Sequence, residues 1–236
     1  TAIAVGHHPA RHRGRLVELL LSGVSPQELR HSIPSARILH AREVLQRCAA
    51  EGIFVVPITS PHYPERLRHI PQPPVALYVQ AAASPPAWPE QCVSVVGTRR
   101  ASLEVCQRTT EISRELAQAG FTVASGLALG IDGAAHRGAL LGWQGGACAQ
   151  LSTIAVLAHG LDRVYPPSHE ALAEVILEQG GALVSEYPPG TEPFKHHFLE
   201  RNRIIAGLSR GVIVMQAGSR SGSLVTARGG ADFGRD

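Results

Sequence analysis

At 236 residues, 44% of them hydrophobic and 17% charged, the chain has room for one large globular domain or a main domain with a small companion. No window approaches 18 uninterrupted apolar residues, which excludes a membrane-spanning helix, and "TAIAVGHHPARHRGR" lacks the apolar core of a secretory signal. The net charge of +3 arises in residues 1–92, nine Arg against six Glu, while the remainder balances thirteen cations against thirteen anions, so bulk charge does not mark a nucleic-acid binder and only local placement can.

Residues 14–50 carry apolar side chains at helical spacing, with Ile38, Val44, Leu45 and Cys48 on one stripe and Gly23 and Gly52 where helices stop. "IFVVPI" reads as a short strand and "TSPHYPERLRHIPQPPVALYV" as a segment punctuated by proline. "AAASPPAWPEQ", residues 81–91, has the composition of a linker. The predicted division is therefore a small N-terminal helical domain with a short strand (1–80), the linker (81–91) and a second domain (92–236). The absent initiator Met leads one to expect trimming or a missing segment. Cys48, Cys92, Cys106 and Cys148 form no CxxC pair and no zinc-ligand spacing, which fits free thiols in a reducing cytoplasm and predicts no bound metal.

After residue 91 the rhythm changes. "CVSVVGT", "FTVASG", "STIAVLAHG", "ALVSE" and "GVIVMQA" are short apolar strands. Each is followed by a helical stretch: "LEVCQRTTEISRELAQAG", "IDGAAHRGALLG", "SHEALAEVILEQGG" with Ser168 as expected N-cap, "HHFLERNRIIAGLS" and "SGSLVTARGGA". Strands apolar on both faces and alternating with helices predict an α/β, doubly wound, mostly parallel sheet of Rossmann type.

Ligands of such folds bind beyond the carboxyl ends of the strands. Three of those ends combine glycine with hydroxyl residues and lead into helices: Gly97-Thr98-Arg99-Arg100-Ala101-Ser102, Ser125-Gly126 through Asp132, and Gly218 through Ser223 with Arg220 inside it. Glycine admits close backbone approach, and free amides at a helix start favour an anion. No turn matches GxGxxG or the GKS/T phosphate loop, so the pattern supports a phosphate-bearing polyanion over a dinucleotide cofactor, with plain helix capping as the competing explanation.

Residues 194–209, "FKHHFLERNRIIAGLS", hold the only Lys among 22 cationic side chains. Phe198, Arg201, Asn202 and Ile205 fall on one helical face, with Lys195, His196 and His197 at or before the helix start. A cation, a ring and an Arg–Asn pair suit a nucleotide. The competing arrangement buries Phe198 in the core and pairs Arg201 or Arg203 with Glu200 or Glu186.

These residues resemble the DNA-processing protein A family (DprA, also called Smf). "VVGTRRAS", "SGLALGIDGAAHRGAL", "TIAVLAHGLDRVYPPSH", "GALVSEYPPGTEP", "HHFLERNRIIAGLSRGVIVMQA" and "RSGSLVTAR" follow in family order over roughly residues 93–228. The front half is similar to that family's small SAM-like helical domain. The resemblance implies an extended Rossmann domain that binds single-stranded DNA, protects incoming strands in natural transformation, hands them to the RecA recombinase and dimerises, with no catalysis and no cofactor. It implies a pocket on Arg99, Lys195, Phe198 and the Gly222-Ser223 turn. With the turn residues Gly97, Arg100, Ser125 and Gly126 and the signature residues Arg201 and Asn202, these make up the candidate DNA-binding set. The chain departs from the family at Ala158-His159, in the long "GWQGGACAQLS" stretch, expected to be a loose loop, and in ending at "GGADFGRD" before a further strand. The rival reading is a Rossmann-type nucleotide hydrolase similar to the phosphoribohydrolases, but "RSGSLVTAR" carries no acid to serve as general base. Asp132 and His136 stand four apart on one helix and could form a metal or acid–base pair; the expectation is instead that Asp132 caps the helix and His136 packs or bonds locally.

Overall fold

The computed structural model describes residues 34–82, 86–145, 151–218 and 221–236. Helix α1 spans Ser35–Ala50, β1 Phe54–Pro57, α2 Glu65–Arg68 and β2 Ala76–Ala81. Then follow β3 (Cys92–Val96), α3 (Leu103–Gln118), β4 (Thr122–Ser125), α4 (Ile131–Gly142) and β5 (Thr153–Leu157). A short 3-10 turn, Pro167–His169, leads into α5 (Glu170–Glu178), followed by β6 (Ala182–Ser185), α6 (Lys195–Leu208), β7 (Gly211–Val214) and α7 (Gly222–Asp232).

The strands form one seven-stranded sheet in the order β1-β2-β6-β5-β4-β3-β7. The five from β3 to β7 are parallel, and β2 and β1 add antiparallel at the β6 edge, with Tyr78 opposite Ser185 and Val55 opposite Tyr78. The α/β, mostly parallel expectation therefore holds. The expected linker at 81–91 lies between strands of one sheet, in which β1 and β2 extend the core built by the parallel strands. The expected helical residues 14–33 lie outside the described residues.

Along the strands successive side chains enter opposite layers. Val96, Ala124, Ile154, Val156 and Val184 pack with α2 and α6 on one face through Leu67, Ile204 and Ile205. Val95 and Val123 meet α3 and α4, and Ala155, Leu157 and Leu183 meet α1 and α5 on the other. Both faces are thus covered, which is why these strands read as continuous apolar runs. On α1 the buried stripe is Ala41, Val44 and Cys48, whereas Leu45 is exposed: it lies about 100° around the helix from Val44. Ser168 is not an N-cap. It sits inside the 3-10 turn, and α5 starts behind His169 without a side-chain cap.

Chain order reverses between β3 and β7. From β3 the chain winds outward through β4, β5 and β6, then returns to place β7 on the other side of β3. The crevice beyond the carboxyl ends of these two neighbours is the topological switch point of the sheet.

Candidate nucleic-acid interface at the sheet switch point

A cleft of about 630 Å3 opens at that switch point. Its walls come from the turn after β3 (Gly97, Thr98, Arg99, Arg100), the start of α7 (Ser221, Gly222, Ser223) and one face of α6 (Lys195, Phe198, Leu199, Asn202), with Tyr165 from the loop after β5. Arg99, Arg100 and Lys195 are exposed at its mouth, and among the described residues none of the three is held in a salt bridge. Three exposed cations around one cleft, none of them in a salt bridge among the described residues, make a favourable place for phosphate.

Phe198 is half-buried, and the guanidinium of Arg99 lies 4.7 Å above its ring centroid, a cation–π contact. The Tyr165 ring stands 5.8 Å from that of Phe198. Tyr165 was not expected from the sequence. The available signal was an aromatic residue in the loop that follows a central strand, on the same sheet edge as the other turns.

Asn202 donates from Nδ2 to the Gly222 carbonyl at 3.2 Å, tying α6 to the first turn of α7. Ser221 caps α7 by accepting the Ser223 backbone N–H at 3.2 Å, and the two hydroxyls are 2.5 Å apart. A methyl group added at Gly222 would make only ordinary contact with Leu199 and Asn202, at 3.6 and 3.7 Å, so the position has room for a side chain. Arg220 lies outside the described residues.

The turn after β4 has a different fate. Ser125 is fully buried, and its hydroxyl donates to the Val95 carbonyl at 2.7 Å. Gly126 offers its carbonyl to the Arg201 guanidinium at 2.9 Å, and a methyl group there would lie 2.4 Å from that guanidinium. Gly130 holds φ at 73°, and a methyl group on it would come 2.4 Å from the Thr98 carbonyl, so this turn packs directly against the turn after β3. Ser125 and Gly126 do not line the cleft; they support it.

Arg201 is only 3% exposed and forms part of the cleft floor. Its guanidinium also donates to the Val156 carbonyl, so it bridges the ends of β4 and β5 from α6. Burial draws its pKa down to about 10, opposed by the nearby Asp132. Asp132 is buried as well and lines the same floor. Burial raises its pKa, while Arg201, the Ala128 and Gly126 backbone N–H groups and Arg99 favour its charged form. It sits in the first turn of α4, whose N-cap is Gly130, and so is not the expected cap. His136 bonds Thr153 Oγ1 at 2.8 Å through Nδ1, the local bond expected of it, and burial lowers its pKa to about 3. Arg203 donates to both oxygens of Glu186, at 2.8 and 2.9 Å, and is thereby committed to the fold. Among the described residues no group of three or more His, Cys, Asp or Glu could hold a metal ion, and no helix is long and apolar enough to cross a membrane.

A doubly wound sheet with cations, a ring and helix starts gathered at its switch point defines a Rossmann-type α/β protein. Residues 54–236 match the family model described as DNA recombination-mediator protein A, and the chain belongs to that family. It is 42% identical to protein Smf of Synechocystis sp. over 187 residues, 78% of this chain and 44% of that protein. It is also 37% identical to the DNA processing protein DprA of Bacillus subtilis over 193 residues, 82% of this chain and 62% of that one. The chain thus spans about half the length of the curated relatives it matches. Among solved structures, DprA from Streptococcus pneumoniae superposes with a TM-score of 0.71 at 32% identity, covering 100% of this chain and 80% of that one. DprA from Helicobacter pylori, whose structure was described for its single-stranded DNA binding mode, superposes with a TM-score of 0.62 at 31% identity, covering 77% of each chain.

Proposed function

We propose that this cleft grips single-stranded DNA by its sugar-phosphate backbone, and that the chain acts as a recombination mediator. In this reading it works as a cytoplasmic homodimer that protects incoming strands during natural transformation and passes them to RecA. One observation carries the DNA-binding part: Arg99, Arg100 and Lys195 line the same cleft as the Ser221–Ser223 helix start, at the switch point where this fold class receives ligands. The single-stranded DNA bound by the Helicobacter pylori relative supports it. The role is binding rather than turnover. The acid in the cleft, Asp132, is buried and faced by Arg201 and two backbone N–H groups, an arrangement suited to holding the floor rather than to moving protons.

Titration of a fluorescent oligo(dT) across a salt series tests the reading. Log affinity should fall linearly with log salt, each neutralised phosphate adding about 0.7 to the slope, so that three cations give a slope of about 2. A flat salt dependence, or release of free base from mononucleotides, contradicts it and favours the hydrolase reading. Light scattering tests the dimer, and displacement of single-strand-binding protein by RecA on coated DNA tests the mediator role.

A further inference from the structure

An ion-pair network outside the cleft joins parts of the chain that are far apart in sequence. Arg47, near the end of α1, donates from Nε to Glu51 at 2.8 Å and from Nη2 to Asp162 at 3.0 Å, 115 positions further on. The Asp162 side chain is only 8% exposed. Its other oxygen accepts the Gly190 backbone N–H at 2.7 Å. Arg163 stands 3.5 Å from the oxygen that Arg47 holds and pairs with Glu192. The Gly160 N–H donates to the Thr191 carbonyl at 3.0 Å. The loop after β5 and the loop after β6 are thereby tied together, and α1 is tied to both. Two glycines make room for the tie: a methyl group on Gly160 would lie 2.4 Å from Asp162 Oδ1, and one on Gly190 would lie 3.0 Å from the Arg47 guanidinium.

Both loops feed the cleft. The first carries Tyr165, and the second runs through Pro193 into Lys195 at the start of α6; all three line the cleft, whereas Arg47, Asp162 and Gly190 do not. Leu161 of the first loop also shares an apolar cluster with Ala41, Val44 and Cys48 of α1. We infer that Arg47 and Asp162 are positioning residues for the cleft: their ion pair, closed onto the Gly190 amide, fixes Tyr165 and Lys195 relative to each other and couples α1 to the grip on a DNA strand. This rests on the DNA-binding reading above and adds residues that touch no DNA. Asp162 stays ionised: burial pushes its pKa up, but the Gly190 N–H, Arg47 and Arg163 outweigh that and hold it below the usual carboxylate range. A charged acid on a loop that forms the cleft works against a polyanion. The clamp supplies the gain that offsets it.

The test is oligo(dT) binding by variants of the pair, with melting followed in parallel so that only folded protein is compared. Asp162→Ala should bind about fivefold more weakly than the unaltered chain, although it removes a negative charge. Its salt slope should stay the same, because Arg99, Arg100 and Lys195 remain in place. Asp162→Asn, which keeps an oxygen for the Gly190 N–H, should recover part of the loss. Arg47→Ala should lose about twofold, and adding it to Asp162→Asn should weaken binding no further, since both changes break the same pair. If Asp162→Ala does not fold, Arg47→Ala and Asp162→Asn decide the matter. Folded variants that bind as tightly as the unaltered chain, or more tightly, overturn the inference, because loss of an acid alone favours a polyanion. A salt slope lowered by about 0.7 in Arg47→Ala also overturns it, by making Arg47 a phosphate contact. Either result leaves the DNA-binding reading standing, whereas failure of the unaltered chain to bind overturns both.

Discussion

The turn after β4 and the turn before α7 look alike in sequence, Ser125-Gly126 against Ser221-Gly222-Ser223, yet they do opposite things. Gly126 is closed: Arg201 fills the space where a side chain would stand, and Ser125 is spent on the neighbouring strand. Gly222 is open, with a capped helix start and no atom within 3.6 Å of a would-be methyl group. The difference is topological. The end of β4 is filled by Arg201 reaching in from α6, whereas β3 and β7 are the neighbours at which chain order reverses, and the helices that follow them, α3 and α7, lie on opposite faces of the sheet. A turn of glycine and hydroxyl residues marks a ligand site only where the sheet leaves a crevice beside it; elsewhere the same residues solve a packing problem.

The sharpest way to break this comparison is at Arg201. Arg201→Ala leaves the buried Gly126 and Val156 carbonyls without their donor and removes the positive charge nearest Asp132, and should destabilise the fold by about 2–4 kcal/mol in urea denaturation. If Arg201 instead served DNA, stability would be nearly unchanged and the salt slope would drop. The glycines come next. Gly126→Ala should cost about 1–3 kcal/mol of stability by overpacking, whereas Gly222→Ala should alter stability by about 0.5 kcal/mol or less and weaken DNA binding by keeping the backbone away from the strand. Equal melting temperatures for the two variants would erase the distinction between closed and open turns.

Phe198→Ala should lose about 1–3 kcal/mol of DNA affinity if a base stacks at the mouth. Melting run in parallel separates this from simple destabilisation. The closed side should also show in pH dependence. Buried His136 has its pKa lowered to about 3, so the unfolded chain takes up a proton that the folded chain refuses as pH falls below about 6.5. Stability contributed by its neutral state is present above that pH and should fall by about 1.4 kcal/mol per pH unit below it. A urea midpoint unchanged between neutral pH and mild acid would contradict the burial. The smallest effects belong to the mouth: Arg99→Ala and Lys195→Ala should each lower the salt slope by about 0.7 without changing the melting temperature.

Much of this was legible in the chain. The alternation of apolar runs with helical stretches marked out the five parallel strands, since strands covered on both faces need no polar residues. Placing every turn on one sheet edge brought the start of α6 and the glycine turns to the same side, and the family resemblance implied that Arg99, Lys195, Phe198 and Gly222 share a pocket. What could not be read was pairing at long range. β1 and β2 join the sheet through β6, about a hundred residues away, and no local pattern announces that partner. Tyr165 reaches the cleft from a loop whose course is set by tertiary packing. Arg201 and Asn202 are adjacent and both polar; only the structure shows one turned to the floor and the other to α7. Ser125 and Gly126 fit the same turn pattern as the open residues, and the crowding that closes them comes from α6, some 75 positions further on.

The most direct test of the central claim is a crystal structure of the chain with bound oligo(dT). The account predicts phosphates within hydrogen-bonding distance of Arg99, Lys195 and the Gly222 amide, with nothing bound at Ser125 and Gly126. A strand lying across another face of the sheet, with that cleft empty, would contradict it.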